Sequence, residues 1–225
     1  MSDPVIVKNV FSFLETLQEN NNREWFTEHK EEFKNLESDV KLFYKAVMEK
    51  LKAHDEIERL KMFRIYRDVR FSKDKTPYKT HFGGSFSRAG VQLRGGYYLH
   101  LQPGGSFIAA GFWEPIKEDL HRIRKEFELD ATEIREIINA KTFKSVWGDF
   151  VGETLKTAPK GFDREHPNID LIKRKQFVFT RKFTDKEVLS PDFLVTIDKS
   201  FREVRPYFDL MSDILTTNLN GESLV

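Results

Sequence analysis

Residues 81–113 read HFGGSFSRAGVQLRGGYYLHLQPGGSFIAAGFW, and this stretch decides the fold. Three segments within it, near His81–Arg88, Gly95–Gln102 and Phe107–Trp113, have the composition of strands, and glycine-rich turns separate them. Short strands joined by tight turns are typical of an antiparallel meander that packs one face on a core. The other face of such a sheet is available to a ligand.

Helical patterns precede this meander. Apolar residues recur every three or four positions from Val10 to Leu17. Asn22 can cap a second, long helix that runs to Leu51, and the apolar spacing of that helix has one gap, at His29. Two helices are therefore predicted on the N-terminal side of the sheet.

After the meander the pattern is again mainly helical. A helix is predicted to open at Pro115, and the last helix starts near Ser190-Pro191 and is expected to kink at Pro206. Further short strands are predicted at Phe150–Leu155 and Gln176–Phe183. Helices, then a sheet, then helices predict an α+β fold whose mainly antiparallel sheet is flanked by N-terminal and C-terminal helices.

Length and composition limit the class of protein. No repeat or linker interrupts the 225 residues, so residues 1–225 are predicted to form a single α+β domain. The absence of cysteine excludes disulfides, a thiol nucleophile and cysteine-ligated metal sites. No apolar run approaches the roughly 18 residues of a membrane span. We therefore expect a soluble cytoplasmic protein without a membrane partner.

Charge is concentrated in one part of a nearly neutral chain. The formal net charge is +1, but residues 61–88 contain eight Lys or Arg and two Asp, whereas residues 1–60 have a net charge of −4. No acidic residue occurs between Lys75 and Trp113. A local basic field in a neutral protein indicates an anion site more than a coat for a polyanion.

The basic segment begins with a period of two. One predicted strand face carries Phe63, Ile65, Val69 and Phe71, and the other carries Arg64, Tyr66, Asp68 and Arg70. Because guanidinium groups bind phosphate and carboxylate in a bidentate manner, the predicted ligand-binding residues are Arg64, Tyr66, Arg70, Lys73, Lys75 and Lys79. Asp68 is expected to hold the arginines by ion pairing. The alternative is an Arg–Asp–Tyr network that only ties the sheet to a helix.

Four motifs spread over nearly the whole chain resemble one family. They are Asn21-Asn22-Arg23-Glu24-Trp25-Phe26, the run from Arg64 to Lys79, Gly111-Phe112-Trp113-Glu114-Pro115, and Pro159-Lys160-Gly161-Phe162-Asp163 with the following His166-Pro167 and Asp170-Leu171-Ile172-Lys173. The family is domain of unknown function 2461, a set of uncharacterised conserved hypothetical proteins of bacteria and fungi. The resemblance implies a single-domain α+β protein without an established activity, and it assigns no catalytic residue.

Two further segments contain histidine. In the segment His166–Asp170, histidine is the residue type that most often serves as a general base, and Asp170 can orient its ring, so these two are the predicted catalytic pair; the alternative is a histidine that anchors a loop to the backbone. His100 shares a strand face with Tyr98 and Gln102 and is interpreted as structural. No motif for a metal or for an organic cofactor is present, so neither is expected.

Three functions fit these patterns. The first is a site for a phosphorylated or carboxylated small molecule, with catalysis left open. The second is a nucleic-acid-binding module on the same basic face. Aromatic residues beside the cations support it, but their alternation favours the core and the near-neutral charge makes nucleic acid an unlikely partner. The third is a scaffold protein without enzymatic activity. The sequence leaves the oligomeric state open.

Overall fold

The computed structural model describes residues 3–225, in which the chain forms ten helices and five strands. In chain order these are α1 (Lys8–Glu19), α2 (Arg23–Glu28), α3 (Lys30–Lys52), β1 (Ile57–Met62), β2 (Phe82–Arg88), β3 (Gly96–Leu101), β4 (Phe107–Phe112), α4 (Lys117–Leu129), α5 (Thr132–Asn139), α6 (Lys141–Trp147), α7 (Ile169–Ile172), β5 (Phe177–Lys182), α8 (Asp185–Val188), α9 (Phe193–Glu203) and α10 (Arg205–Thr216).

The strands form one antiparallel sheet in the order β1-β2-β3-β4-β5. The predicted α+β fold is thereby confirmed, as is the meander at its centre. Short turns join β2 to β3 and β3 to β4, as antiparallel neighbours allow, whereas longer segments join β1 to β2 and β4 to β5. The turn before β4 brings Gly105 back to Gln102, whose carbonyl oxygen accepts the Gly105 N–H at 3.0 Å.

The chain divides into two compact units. Unit 1 contains the described residues up to Phe86 together with Tyr98–Ile108 and Lys182–Lys199. Unit 2 contains Ser87–Tyr97, Ala109–Arg181 and Ser200–Val225. The formation of one domain by residues 1–225 stays a prediction.

The core of unit 1 lies between α3 and one face of the sheet. Tyr44 of α3 is fully buried, and its hydroxyl donates to the carbonyl oxygen of Leu99 at 3.0 Å. A Cβ atom at Gly84 would lie 2.6 Å from the Tyr44 ring, so only glycine allows this ring to lie flat on β2. Leu99 and Leu101 of β3 are fully buried, and the alternate positions Tyr98, His100 and Gln102 lie on the opposite face.

The core of unit 2 contains many aromatic residues. Tyr207 of α10 is fully buried, packs edge-on against Phe179 at 5.2 Å and donates its hydroxyl to the carbonyl oxygen of Phe177 at 2.8 Å. Gly111 has a φ of +135°, and a Cβ atom there would overlap the backbone of Phe177. Both the backbone angle and the close strand approach therefore require glycine at this position.

Helix boundaries follow local signals in the sequence. Asn22 caps α2 as predicted, because its side chain accepts the Trp25 N–H at 2.9 Å. The single long helix predicted up to Leu51 is wrong, since α2 ends at Glu28 and α3 starts at Lys30. The break falls on His29, where the apolar spacing has its gap, and the His29 ring stacks on Trp25 at 4.0 Å instead. The last predicted helix is likewise divided, with Pro206 in the first turn of α10.

Two predicted strands are wrong. Residues 150–155 contribute only the isolated bridges of Val151 with Val178 and of Thr154 with Arg174. The strand predicted over 63–71 is also absent, because β1 ends at Met62. The chain from 63 to 81 forms an irregular hairpin, which we call the basic loop.

Candidate functional site

Backbone pairing and Asn21 hold the base of the basic loop, where residues 65–67 lie opposite residues 77–79. The Lys79 N–H donates to the carbonyl oxygen of Ile65 at 2.8 Å, and the Arg67 N–H donates to that of Pro77 at 2.9 Å. The Asn21 side chain bonds both the N–H and the carbonyl oxygen of Tyr78, at 3.1 and 3.0 Å. An amide side chain thus replaces the neighbouring strand that Tyr78 would need in a regular sheet.

Ion pairs within the loop organise its outer part. Asp68 accepts the Arg70 Nε and Nη2 groups at 3.0 and 2.7 Å, and the hydrogen bonds from Arg70 are the main cause that lowers the pKa of Asp68. The Thr76 N–H and the Arg67 guanidinium lower the pKa of Asp74 to about 2. Lys75 donates to the carbonyl oxygen of Val69 at 2.9 Å. The lowered pKa values of Asp68 and Asp74 make both carboxylates poor proton acceptors at neutral pH.

The predicted ligand-binding residues do not share one strand face. Arg70, Lys73 and Lys75 are exposed in the outer part of the loop. Tyr66 is half-exposed and packs edge-on against Phe26 at 6.0 Å. No strand continues beyond Met62, but side-chain exposure still alternates along the next residues. The exposed residues are Arg64, Tyr66, Asp68 and Arg70, and the less exposed ones are Ile65, Arg67 and Val69. Binding of a ligand by the predicted residues stays a prediction.

A polar cleft of about 350 Å³ opens beside the basic loop in unit 1. It is lined by residues of α1, of the turn after α1 and of the loop: Gln18, Asn21, Arg67, Asp74, Thr76, Tyr78, Lys79, Thr80 and His81. Lys79 is the one predicted ligand-binding residue in this lining. Arg67 also lines the cleft, but Asp74 and Thr76 bind its guanidinium group.

Lys79 carries an uncompensated charge at the edge of the cleft. Its side chain is part-buried, and within residues 3–225 it forms no ion pair with a carboxylate. Its ammonium group lies 5.6 Å from the centre of the Phe63 ring. Burial, followed by the positive charge of Arg64, lowers the pKa of Lys79. An anion beside Lys79 would offset both effects, because a negative charge stabilises the ammonium form and so raises its pKa.

His81 adjoins Lys79 in the cleft and is not among the site residues predicted from the sequence. Burial is the main cause that lowers its pKa to about 4, with further contributions from His100 and Lys79. His81 is therefore neutral at pH 7, and within the described residues neither ring nitrogen has a hydrogen-bond partner. A neutral imidazole with a free nitrogen can accept a proton or a hydrogen bond from a ligand.

His100 supports His81 from the open face of the sheet. The two rings are 4.2 Å apart, and Phe107 stacks on His100 at 4.7 Å. His100 Nδ1 lies 3.0 Å from the Tyr98 hydroxyl, and Nε2 lies 3.0 Å from Gln102 Oε1. When Nε2 donates to Gln102, Nδ1 accepts from Tyr98, so these two neighbours select one neutral tautomer. Burial lowers the pKa of His100 and raises that of Tyr98, which keeps both groups uncharged.

The predicted catalytic pair lies in unit 2, and its members have separate partners. His166 Nδ1 accepts the Asn168 N–H at 3.1 Å, which is the loop-anchoring alternative. Asp170 accepts hydrogen bonds from Arg135 at 2.7 and 3.3 Å. No hydrogen bond joins Asp170 to His166 among the described residues. A catalytic role for either residue stays a prediction.

Two further properties bear on function. Within residues 3–225 no group of three or more His, Cys, Asp or Glu side chains could hold a metal ion. None of the helices in this range combines the length and the apolarity that crossing a bilayer requires.

Comparisons with known proteins place the chain in a family. No curated protein and no solved structure matches it. One family model, described as "Conserved hypothetical protein (DUF2461)", matches residues 9–210. That match includes both the cleft of unit 1 and the His166 loop of unit 2. Because it covers nearly the whole chain, the protein belongs to the DUF2461 family of conserved hypothetical proteins.

Proposed function

We propose that unit 1 binds a small molecule with a phosphate or carboxylate group in the polar cleft. The observation that carries this proposal is Lys79, a part-buried ammonium group that lines the cleft without a carboxylate partner in the described residues. A buried or part-buried charge is normally paired, and an unpaired one is a candidate for a ligand contact. The cleft is open to an anion, because its one carboxylate, that of Asp74, is already bound to Arg67.

The neighbouring groups fit the polar edge of such a ligand. Asn21 and Thr76 provide amide and hydroxyl groups beside Lys79. His81 faces the same cleft as a neutral imidazole, and we propose that it accepts a hydrogen bond from a hydroxyl group of the ligand. Its pKa of about 4 makes it a weak base at neutral pH.

Thermal unfolding in increasing phosphate tests the proposal. A ligand that binds only the folded protein raises the melting temperature by mass action. The rise should be lost in Lys79→Gln. Lys61→Gln is a matched control, because the Lys61 ammonium lies 5.5 Å from the same Phe63 ring but does not line the cleft. Lys61→Gln should retain the full rise.

Equal melting-temperature increments in the wild type and Lys79→Gln would refute the site. Arg70→Ala separates the cleft from the original sequence prediction, which placed Arg70 in the same anion site. Because Arg70 is exposed and paired with Asp68, we expect the phosphate effect to survive its removal. A loss of the effect in Arg70→Ala, with Lys79→Gln unaffected, would move the site to the outer part of the loop.

A further inference from the structure

The basic loop exposes three aromatic rings outside the cleft lining. Phe71 is 97% exposed, Tyr66 is 48% exposed and Phe63 is 39% exposed. The sequence pattern assigned Phe63 and Phe71 to a buried strand face, but Ile65 is the residue that reaches the core. Large apolar side chains left in water along one loop indicate an interaction surface.

The charges around these rings are positive and largely uncompensated. The loop contains six Lys or Arg residues and two Asp residues. Asp68 is bound to Arg70 and Asp74 to Arg67, so each carboxylate is neutralised within the loop. The four remaining cations have no carboxylate partner in residues 3–225: Arg64, Lys73, Lys75 and Lys79.

Alternating rings and cations are the recognition elements for a single-stranded nucleic acid. Its bases stack on aromatic side chains without regard to sequence, and its phosphates bind the cations between them. We propose that the basic loop binds single-stranded DNA or RNA, with Phe71 as the main stacking residue. None of the three exposed rings lines the cleft, whereas Lys79 belongs to both the loop and the cleft.

An anionic membrane is the competing partner for an exposed, basic, aromatic loop. Insertion into a bilayer needs an apolar cluster at the tip of a loop. Here Phe71 is flanked by Arg70 and Ser72, and the other two exposed rings lie nearer to the ends of the loop. Rings distributed along the loop with cations between them match the repeat of a nucleic acid better than they match a lipid surface.

The near-neutral net charge of the chain argues against nucleic acid as a partner, but the structure weakens that argument. The near-neutral total arises from acidic residues elsewhere in the chain, chiefly in residues 1–60. Electrostatic attraction is screened beyond roughly 8–10 Å at physiological salt, so the local field of the loop matters more than the total. We expect binding of moderate affinity that weakens as salt is raised.

Fluorescence anisotropy with a labelled oligo(dT) of about ten nucleotides tests the inference, at salt concentrations around 150 mM and below. Removal of a stacking ring costs about five- to 150-fold in affinity, so Phe71→Ala should weaken binding by that factor. Phe71→Tyr should restore it. Trp113→Ala is the matched control, because Trp113 is 58% exposed but lies outside the loop. Lys73→Gln should make the plot of log affinity against log salt less steep, by about 0.7 in slope.

Two results would overturn the inference. One is an affinity of Phe71→Ala equal to that of the wild type while the variant unfolds at an unchanged temperature. The other is binding to vesicles that contain phosphatidylserine, lost in Phe71→Ala, without measurable binding to the oligonucleotide. Phosphate stabilisation separates this surface from the cleft, because Phe71→Ala should keep the melting-temperature rise that Lys79→Gln loses.

Discussion

Each unit contains one histidine that the sequence analysis considered, His100 in unit 1 and His166 in unit 2, and the surroundings of the two differ. His100 is enclosed by two rings and is hydrogen-bonded on both sides, by Tyr98 and Gln102. The ring of His166 has one hydrogen bond within the described residues, from the backbone N–H of Asn168, and this residue is only partly buried. A histidine close to an aspartate in sequence therefore need not be paired with it in the folded chain.

The largest expected difference between the two regions is in stability. His100→Ala leaves a cavity between His81 and Phe107 and removes two hydrogen bonds, so it should lower the free energy of unfolding by about 2–4 kcal/mol. His166→Ala should cost only about 1 kcal/mol, because it loses a single hydrogen bond. Urea denaturation of both variants measures the two values. Equal losses would show that His166 is as firmly packed as His100.

The next effect concerns the glycine beneath the Tyr98 hydroxyl. A Cβ atom at Gly83 would lie 2.6 Å from Tyr98 Oη, so Gly83→Ala displaces that hydroxyl from His100. The expected cost is about 1–3 kcal/mol, as for other overpacked sites. Gly105→Ala is the control, since its Cβ would come no closer than 3.5 Å to Gln102. A Gly83→Ala protein as stable as Gly105→Ala would show that the Tyr98–His100 hydrogen bond contributes little.

Acid should distinguish the regions by pH window. His81 has a folded-state pKa of about 4, below its ordinary value of 6.5, so the unfolded chain binds more protons between these values. Stability from neutral His81 is complete above pH 6.5 and is lost as the pH falls towards 4. Burial raises the pKa of Asp170, but the hydrogen bond and the positive charge of Arg135 outweigh burial and lower this pKa overall. The stability that ionised Asp170 contributes is therefore lost only below about pH 3.8. Unfolding free energies of the wild type, His81→Phe and Asp170→Asn across pH 3–7 test both windows.

A flatter profile between pH 6.5 and 4 in His81→Phe, with the wild-type profile retained in Asp170→Asn, is the expected result. A profile of His81→Phe that coincides with that of the wild type would show that His81 is already accessible to protons in the folded protein.

The smallest effect is expected from the ion pair of unit 2. The side chains of Arg135 and Asp170 are 37% and 60% exposed, so solvent screens their attraction. Asp170→Asn should change the free energy of unfolding by less than about 1 kcal/mol at pH 7, measured by urea denaturation. A larger loss would point to a structural role for this pair beyond the contact with Arg135.

Much of the fold could be predicted from local patterns. The glycine turns of residues 81–113 predict the meander because a tight turn restricts the backbone at a few neighbouring residues. Asn22 predicts the start of α2 for the same reason, since a cap involves residues three positions apart. The interrupted spacing at His29 marked the end of α2, although it was interpreted as a gap within one helix.

The site was less predictable, because its residues are distant in sequence. Lys79 was predicted from the charge pattern, and it does line the cleft. Asn21, however, contacts Tyr78 from 57 positions away, and the His81 ring packs on that of His100 in β3. No spacing rule connects such residues. The Arg64–Arg70 face is exposed as its alternation predicts, but no regular strand carries it beyond Met62.

The sequence by itself determined the α+β class, the family and the position of the basic segment, because each depends on composition or on short-range patterns. Only the tertiary structure decided that this segment is a loop, that Phe71 is in water and that His81 is neutral. Exposure and pKa depend on which atoms surround a group, and the chain supplies those atoms from α1, α2 and the sheet.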